Sequence, residues 1–293
     1  MFINKYIIIM TFTVLSLFDG IACGCEAMKR FVPNTWDIQY IASEIDLVAI
    51  KVARANHPSI MHVGDVTSLQ YSNGVLRSHK LHYKGVIDLI IAGSPCQGFS
   101  KNGKRLLLDD PRSGLYYEFL RLMHEIKPAY FLLENVCMPM IVRDKITSDL
   151  EVFDAKLYTI NSNTLCAQNR VRLYWTNIPQ SDVCHIKHAK QTLQELLGPR
   201  YTGLYCRPHG FYKGGYKVMI KSPCITKSGW LGSFFVCEGE SCRRKFTAEE
   251  CEQLQTLPVG YTAVAGSDHA RVGLIGNGWT VDVIGHLLAG LIS

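Results

Sequence analysis

The chain has 293 residues, 47% of them hydrophobic and 19% charged, with a formal net charge of +6. That length supports one large domain, or one domain with a small appendage, and that balance excludes a disordered, fibrous or collagen-like chain. The eleven cysteines are scattered without a repeated framework, which excludes a disulfide-stapled scaffold and leads us to expect a reduced, cytoplasmic setting.

The apolar opening MFINKYIIIMTFTVLSLF is interrupted by Asn4 and Lys5, lacks a small-residue cleavage site and runs straight into Asp19 and Gly20. It reads as neither a signal peptide nor a membrane span. Its second half, from Thr11 to Phe18, reads as a buried first strand, and Met10 is a candidate start. Further strands are predicted over 38–43, 60–63, 86–92, 129–133, 152–160 and 171–177, the first covering 13–18. Helical patterns lie between them at 22–31, 46–55, 113–126 and 138–150, with Pro111 beside Asp109 and Asp110 as a start signal for the third. This alternation predicts an α/β fold, a parallel sheet with helices on both faces.

The pattern changes near residue 180. Seven glycines between Gly198 and Gly232 break up a basic, aromatic-rich stretch with no helical period. Residues 182–245 hold eleven Lys or Arg against four Asp or Glu, while the remainder holds twenty against twenty-one. The basic excess therefore sits in one segment, as expected of a surface that meets phosphates or of a plainly solvated face. Thr247-Ala-Glu-Glu250 is a capping box opening a helix over 248–256, and an amphipathic helix is expected over 281–291. The expected organisation is a catalytic and cofactor-binding domain at 11–178, a small basic insert at 179–246, and a return to the first domain at 247–293. Cys23 with Cys25, Cys237 with Cys242, and Cys184 with His185 and His188 lack a second pair at zinc spacing, so no metal site is expected.

Four short stretches carry chemistry. FDGIACG at 18–24 follows the first strand, where doubly wound folds bind ligands. Glu44 ends the second strand, 24 residues past Gly20, near the spacing at which a carboxylate meets ribose hydroxyls. Asp65, in HVGDV, is placed to accept from an adenine amino group. With no phosphate-binding loop, a nucleoside cofactor such as S-adenosylmethionine fits; a tight turn with two capping carboxylates is the plainer alternative. AGSPCQGFS at 92–100 sets Cys96 beside the rigid Pro95 and ahead of a basic loop, an environment for a nucleophilic thiolate, although a lone cysteine is usually just a small buried residue. FLLENV at 131–136 puts Glu134 at the end of a hydrophobic strand, where it must be paired, protonated or functional. In QNRVRLYW at 168–175, Gln168, Arg170 and Arg172 alternate along a predicted strand, so they face one side as phosphate or base contacts or as a salt-bridge ladder.

These motifs, in this order and with GNGWTVDVIGHLL at 276–288, resemble the DNA cytosine-5 methyltransferases over nearly the whole chain. YIASEID, VGDV, LPVGYT and Trp279 are most similar to the vertebrate de novo branch and its phage relatives. The resemblance implies a Rossmann-like, S-adenosylmethionine-dependent methyltransferase sheet with a small target-recognition domain, acting on double-stranded DNA in a bacterial or phage-infected cell. It implies Cys96 as the nucleophile on carbon 6 of a flipped-out cytosine, Glu134 at ring N3, Arg172 at the cytosine carbonyl, and Arg170 at a phosphate or Glu134. The cofactor pocket it implies is Phe18, Asp19, Gly20, Ile21, Glu44, Ile45, Asp65, Val66, Pro95 and Leu115, closed by Asn277, Gly278 and Trp279, with Phe18 and Trp279 flanking the adenosine. DNA contacts are expected from Gln97, Ser100, Lys101, Arg105, Gln168, Lys221, Lys227, Arg243 and Arg244, the loop 97–110 acting as a lid. Cys23 and Cys25 replace the small residues usual near the first motif, and the insert matches no known recognition module, which leaves the target sequence open. Two alternatives stand beside this reading: a tRNA substrate, since CITKSGW at 224–230 resembles part of the RNA-modifying branch, and an inactive DNA-binding relative.

Overall fold

A computed structural model describes residues 10–94, 114–180, 191–206, 215–226, 234–238 and 242–292. Strand β1 (Met10–Leu17) is central, and its alternation serves two faces. Phe12 and Val14 enter one apolar core, and Leu15 and Leu17 enter the other. A tight turn leads into α1 (Cys23–Phe31). Strand β2 (Trp36–Ser43) then runs parallel to β1, and α2 (Leu47–Asn56) begins where the Asp46 carboxylate accepts from the amides of Val48 and Ala49.

The short β3 (Met61–His62) precedes an antiparallel ribbon of β4 (Gln70–Ser72), β5 (Val75–Arg77) and β6 (His82–Lys84) that the periodicity reading lacked. Its signal was present as Asn73-Gly74, which take φ of 51° and 73° in the tight turn between β4 and β5. The main sheet resumes with β7 (Leu89–Gly93), α3 (Gly114–Ile126), β8 (Tyr130–Val136), α4 (Met140–Leu150), β9 (Lys156–Asn161) and β10 (Val171–Thr176). The strand order is β3-β2-β1-β7-β8-β10-β9.

One strand corrects the expectation of an all-parallel sheet: β10 is antiparallel to both β8 and β9. The connection over 162–170 is too short for the crossover that parallel neighbours require. Helices α3 and α4 cover one face through Tyr116, Phe119, Val142 and Ile146. The other face is covered by α1, α2 and three later helices, α6 (Ala248–Leu254), α7 (Asp268–Asn277) and α8 (Val281–Leu288).

Between β10 and α6 lie α5 (Leu193–Leu197) and a second antiparallel sheet in the order β12-β11-β13-β14. Its strands are β11 (Tyr201–Cys206), β12 (Gly215–Lys217), β13 (Phe234–Glu238) and β14 (Cys242–Arg244). The reading of this stretch as free of helix missed α5, whose capping box of Thr192 and Glu195 was visible in the sequence. Tyr201, Leu204 and Val236 belong to the same apolar core as α1 and α8. The capping box at Thr247 and Glu250 forms as expected, although α6 ends two residues early, and a short 3-10 turn over Ala289–Ile292 completes the stretch begun by α8.

Candidate active site

The carboxyl ends of β1, β2, β7 and β8 open into a cavity of about 290 Å³. Its near wall is the turn after β1, where Phe18, Gly20 and Ala22 adopt φ of 59°, 59° and 64°. Left-handed backbone at Phe18 and Ala22 costs on the order of 1–2 kcal/mol each. Glu44 braces this turn: its carboxylate accepts from the amides of Gly20 at 2.8 Å, Ile45 at 2.7 Å and Asp46 at 2.8 Å. Glu44 also lines the cavity, and these three bonds leave its carboxylate with acceptor capacity.

Asp19, 8% exposed, sits at the base of this wall. Its Oδ1 accepts from Ser16 Oγ at 2.6 Å and Tyr40 Oη at 2.8 Å, whereas its Oδ2 is buried without a partner. Burial dominates, and the carboxyl is pushed up to about 6 despite its two hydrogen bonds. A buried acceptor lacking a donor, on the wall of a cleft, is a site that a ligand cation would complete.

At the other end of the cavity, Glu134 lies within β8 and not at its end, opposite Gly93 of β7 and Tyr174 of β10. It is nearly buried and paired at both oxygens: Arg172 Nε lies 3.0 Å from Oε1, and the Trp279 indole N–H donates to Oε2 at 3.1 Å. Burial is the largest single effect on Arg172 and works against its charge, but the Glu134 carboxylate together with Cys224 and Tyr174 outweighs it, and the guanidinium pKa is raised. Asn135 Nδ2 donates to Ser94 Oγ at 2.9 Å, tying the end of β7 to β8 beside the pair.

Of the expected cofactor residues, Phe18, Asp19, Gly20, Ile21, Glu44, Asn277, Gly278 and Trp279 line the cavity, and the expected Arg170 and Arg172 line it with Glu134. Ile45, Asp65, Val66 and Leu115 do not. Ile45 is 69% exposed, the Asp65 carboxylate caps its own short turn at the Thr67 amide, and Val66 is buried in the core on the α3 face. Pro95, Cys96, Gln97, Ser100, Lys101, Arg105 and Lys227 lie outside the described residues.

Several of the polar residues expected at a ligand are engaged within the chain. Gln168 is fully buried and precedes β10; its amide donates to Leu254 O and Gln255 Oε1 and accepts from the Ile225 amide, leaving nothing for DNA. Arg170 also precedes the strand. Its guanidinium donates to the carbonyls of Ile225 at 2.9 Å, Gly276 at 3.3 Å and Gly278 at 2.8 Å, while the ion pair with Glu134 is made by Arg172. Lys221 donates to Cys166 O and Gln191 O, and Arg244 is paired with Glu238 and Glu250. Arg243 is different: it is exposed and stacks its guanidinium 3.8 Å above the Tyr205 ring.

Sequence reasoning left out Cys23, Asp46, Ala49, Gly93, Ser94, Asn135, Val136, Leu274 and Gly276, all of which line the cavity. Ser94 and Asn135 stood inside quoted motifs and were legible as neighbours of Cys96 and Glu134. Gly276 opened the quoted GNGWTVDVIGHLL, and Leu274 carried no signal. Cys224 was named only within CITKSGW, yet its Sγ lies 3.4 Å from Arg170 Nη1 and 3.7 Å from Arg172 Nη2.

A doubly wound sheet with one reversed strand carries a cleft lined both by a carboxylate with one unpartnered oxygen and by a carboxylate paired at both oxygens, and its fold is that of the Rossmann-like methyltransferases. Residues 12–199 match the C-5 cytosine-specific DNA methylase family, and the chain belongs to it. Among its relatives, the Type II methyltransferase M1.ScrFI of Lactococcus lactis subsp. cremoris is 35% identical over 142 residues, 45% of this chain and 33% of that protein. M.HgiCII of Herpetosiphon aurantiacus is 35% identical over 183 residues, 58% of this chain and 38% of that one. The chain thus spans about a third of the length of these relatives. The fold is similar over whole chains to solved structures. A putative DNA modification methyltransferase encoded within an E. coli prophage gives a TM-score of 0.66 at 19% identity, covering 96% of this chain and 98% of that one. The Entamoeba histolytica methyltransferase EhMeth gives 0.69 at 18% identity, and S. pombe Dnmt2 gives 0.65 at 17%, both with the same coverage.

Proposed function

We propose that this chain transfers a methyl group from S-adenosylmethionine to carbon 5 of cytosine in duplex DNA, with Cys96 forming a transient bond to a flipped-out base. The observation that carries this reading is one cavity that joins the unpartnered Asp19 oxygen to the Glu134–Arg172 pair. Asp19 fits the cofactor's ammonium group, Glu44 its ribose hydroxyls, and Phe18 and Trp279 its flat ring. Bound there, S-adenosylmethionine supplies an electrophilic methyl group. Restriction-modification is the setting that the Type II names of the relatives support.

The residues of the chain perform the rest. The base leaves the stack at a cost of a few kcal/mol. The Cys96 thiolate adds to carbon 6, and electron density moves toward N3 and carbon 5. Glu134, carrying a proton, donates it to N3 as that charge develops and takes it back when the ring is restored, while Arg172 donates to the adjacent carbonyl. After carbon 5 is methylated, loss of its proton expels the Cys96 thiolate and restores the ring. Arg170 orients Arg172 only indirectly, by fixing the backbone of 276–278 around the pair. The β11–β14 sheet, with Arg243 exposed on its edge strand β14, is the proposed target-recognition element.

The test is transfer of labelled methyl to unmethylated duplex DNA, followed by bisulfite sequencing. Protected cytosines in one short context are expected, and Cys96→Ser is expected to abolish transfer. A Cys96→Ser variant that still methylates would remove the nucleophile assignment. A tRNA substrate is the second reading, favoured by one contact: Cys224 of CITKSGW touches both Arg170 and Arg172. Label on tRNA and none on DNA would establish it.

A further inference from the structure

We propose that Trp279 is a positioning residue for Glu134, a role that rests on the catalytic reading of that carboxylate. The last torsion of a glutamate side chain is broad and two-fold, so one donor leaves the carboxylate plane free to swing. Here two donors arrive on different oxygens: Arg172 Nε on Oε1 at 3.0 Å and the Trp279 indole N–H on Oε2 at 3.1 Å. Together they fix the plane of a carboxylate that lines the cavity and leave one lone pair on each oxygen outside these two bonds.

The surroundings are built for this contact. The indole lies in a slot made by two glycines. A Cβ at Gly93 would stand 2.7 Å from Trp279 Nε1 and 3.0 Å from Cζ2, and one at Gly24 would stand 3.3 Å from Cζ3. Gly93 is the residue paired with Glu134 across β7 and β8, so the missing side chain opens the path by which the indole N–H reaches the carboxylate. The backbone carrying Trp279 is braced on either side. Gly278 O accepts from Arg170 Nη2 at 2.8 Å and Gln255 Nε2 at 3.1 Å, and the next residue, Thr280, donates to Gln255 Oε1 at 2.6 Å. Trp279 also lines the cavity that holds Phe18, Asp19 and Glu44, the residues of the proposed cofactor site.

Trp279→Phe separates the two contacts, because it keeps an aromatic wall and removes only the N–H. With the variant's melting temperature matching the wild type, we expect kcat to fall by about tenfold to a hundredfold, the worth of a hydrogen bond to a charged group. Binding of S-adenosylhomocysteine, read by calorimetry, is expected to stay within about threefold, since stacking on the ring survives. An unchanged kcat, or a loss confined to cofactor binding, overturns the proposal and leaves Trp279 as a pocket wall. A second measurement does not depend on turnover. In protein labelled with 15N at the indole nitrogens, the Trp279 N–H signal is expected to move upfield on Glu134→Gln, and a signal that stays still overturns the contact. Wild-type protein that methylates neither DNA nor tRNA would refute the catalytic reading and the positioning role together, while the indole signal would still report whether the contact exists.

Discussion

Asp19→Asn should make the empty protein more stable and the enzyme worse. Asp19 is buried with its carboxyl raised from 3.8 to about 6, so the native state holds this proton more tightly than the unfolded chain does. The stability Asp19 contributes is therefore complete below the unfolded value and is lost as pH rises through the folded one. The gap corresponds to at most about 3 kcal/mol above pH 7, and to about a third of that at pH 4.5. Asparagine keeps the oxygen that accepts from Ser16 and Tyr40 but carries no charge to bury. At pH 8 its melting temperature should exceed the wild type's by roughly 5–10 °C, and the difference should shrink at pH 4.5. Affinity for S-adenosylmethionine should fall about tenfold to a hundredfold, as a charge-assisted hydrogen bond is lost. Differential scanning calorimetry at both pH values and titration calorimetry at pH 8 read these quantities. A variant stabilised equally at both pH values, or not at all at pH 8, refutes the assignment of a buried charge penalty to Asp19.

Four further substitutions separate interior roles from surface ones. Gly93→Ala should displace the Trp279 indole, lowering kcat by at least about tenfold and costing about 1–3 kcal/mol of stability in a denaturant titration. Gln168→Ala should cost roughly 2–4 kcal/mol by leaving buried partners unsatisfied, with DNA affinity of the folded protein unchanged in a fluorescence anisotropy assay. Arg243→Ala should leave the melting temperature alone, weaken DNA binding and reduce the slope of log affinity against log salt by about 1. Arg244→Ala should do the reverse, lowering stability through the loss of Glu238 and Glu250 as partners while the salt slope stays put.

The elements with strong local signals were legible in the sequence. The β1 pattern, the Asp46 cap of α2 and the Thr247 capping box belong to single short stretches, so their strands and helices fall within a few residues of their expected places. Strand direction was not legible, because a period of two looks the same from either end; only the short 162–170 connection announced the reversal of β10. The polar residues divided in the same way. Phe18, Asp19 and Glu44 are brought together by adjacent strands of a fold the motifs already implied. What Gln168, Arg170, Lys221 and Arg244 do depends on carbonyls and carboxylates brought near only by folding, as with Gly278, which lies 108 positions beyond Arg170. A charged letter in a basic stretch does not reveal whether its partner is a phosphate or the chain itself. For the same reason Trp279 was legible as a cofactor wall, but its bond to Glu134, 145 positions away, was not.

The cavity wall that carries Trp279 has a consequence for biosynthesis. Residues 18–21 and 276–279 line one cavity, yet some 250 positions of chain separate them. At ribosomal speeds of about 5–20 residues per second, the first wall waits roughly ten to fifty seconds for the second. Until then Glu134 has only Arg172 to hold it, and Gly93 faces an empty slot. A nascent or prematurely terminated chain would thus carry the FDGIACG, FLLENV and QNRVRLYW stretches without a finished cavity until α7 and α8 have docked. The same geometry makes a peptide spanning α7 and α8 a natural candidate for complementing a truncated chain in trans.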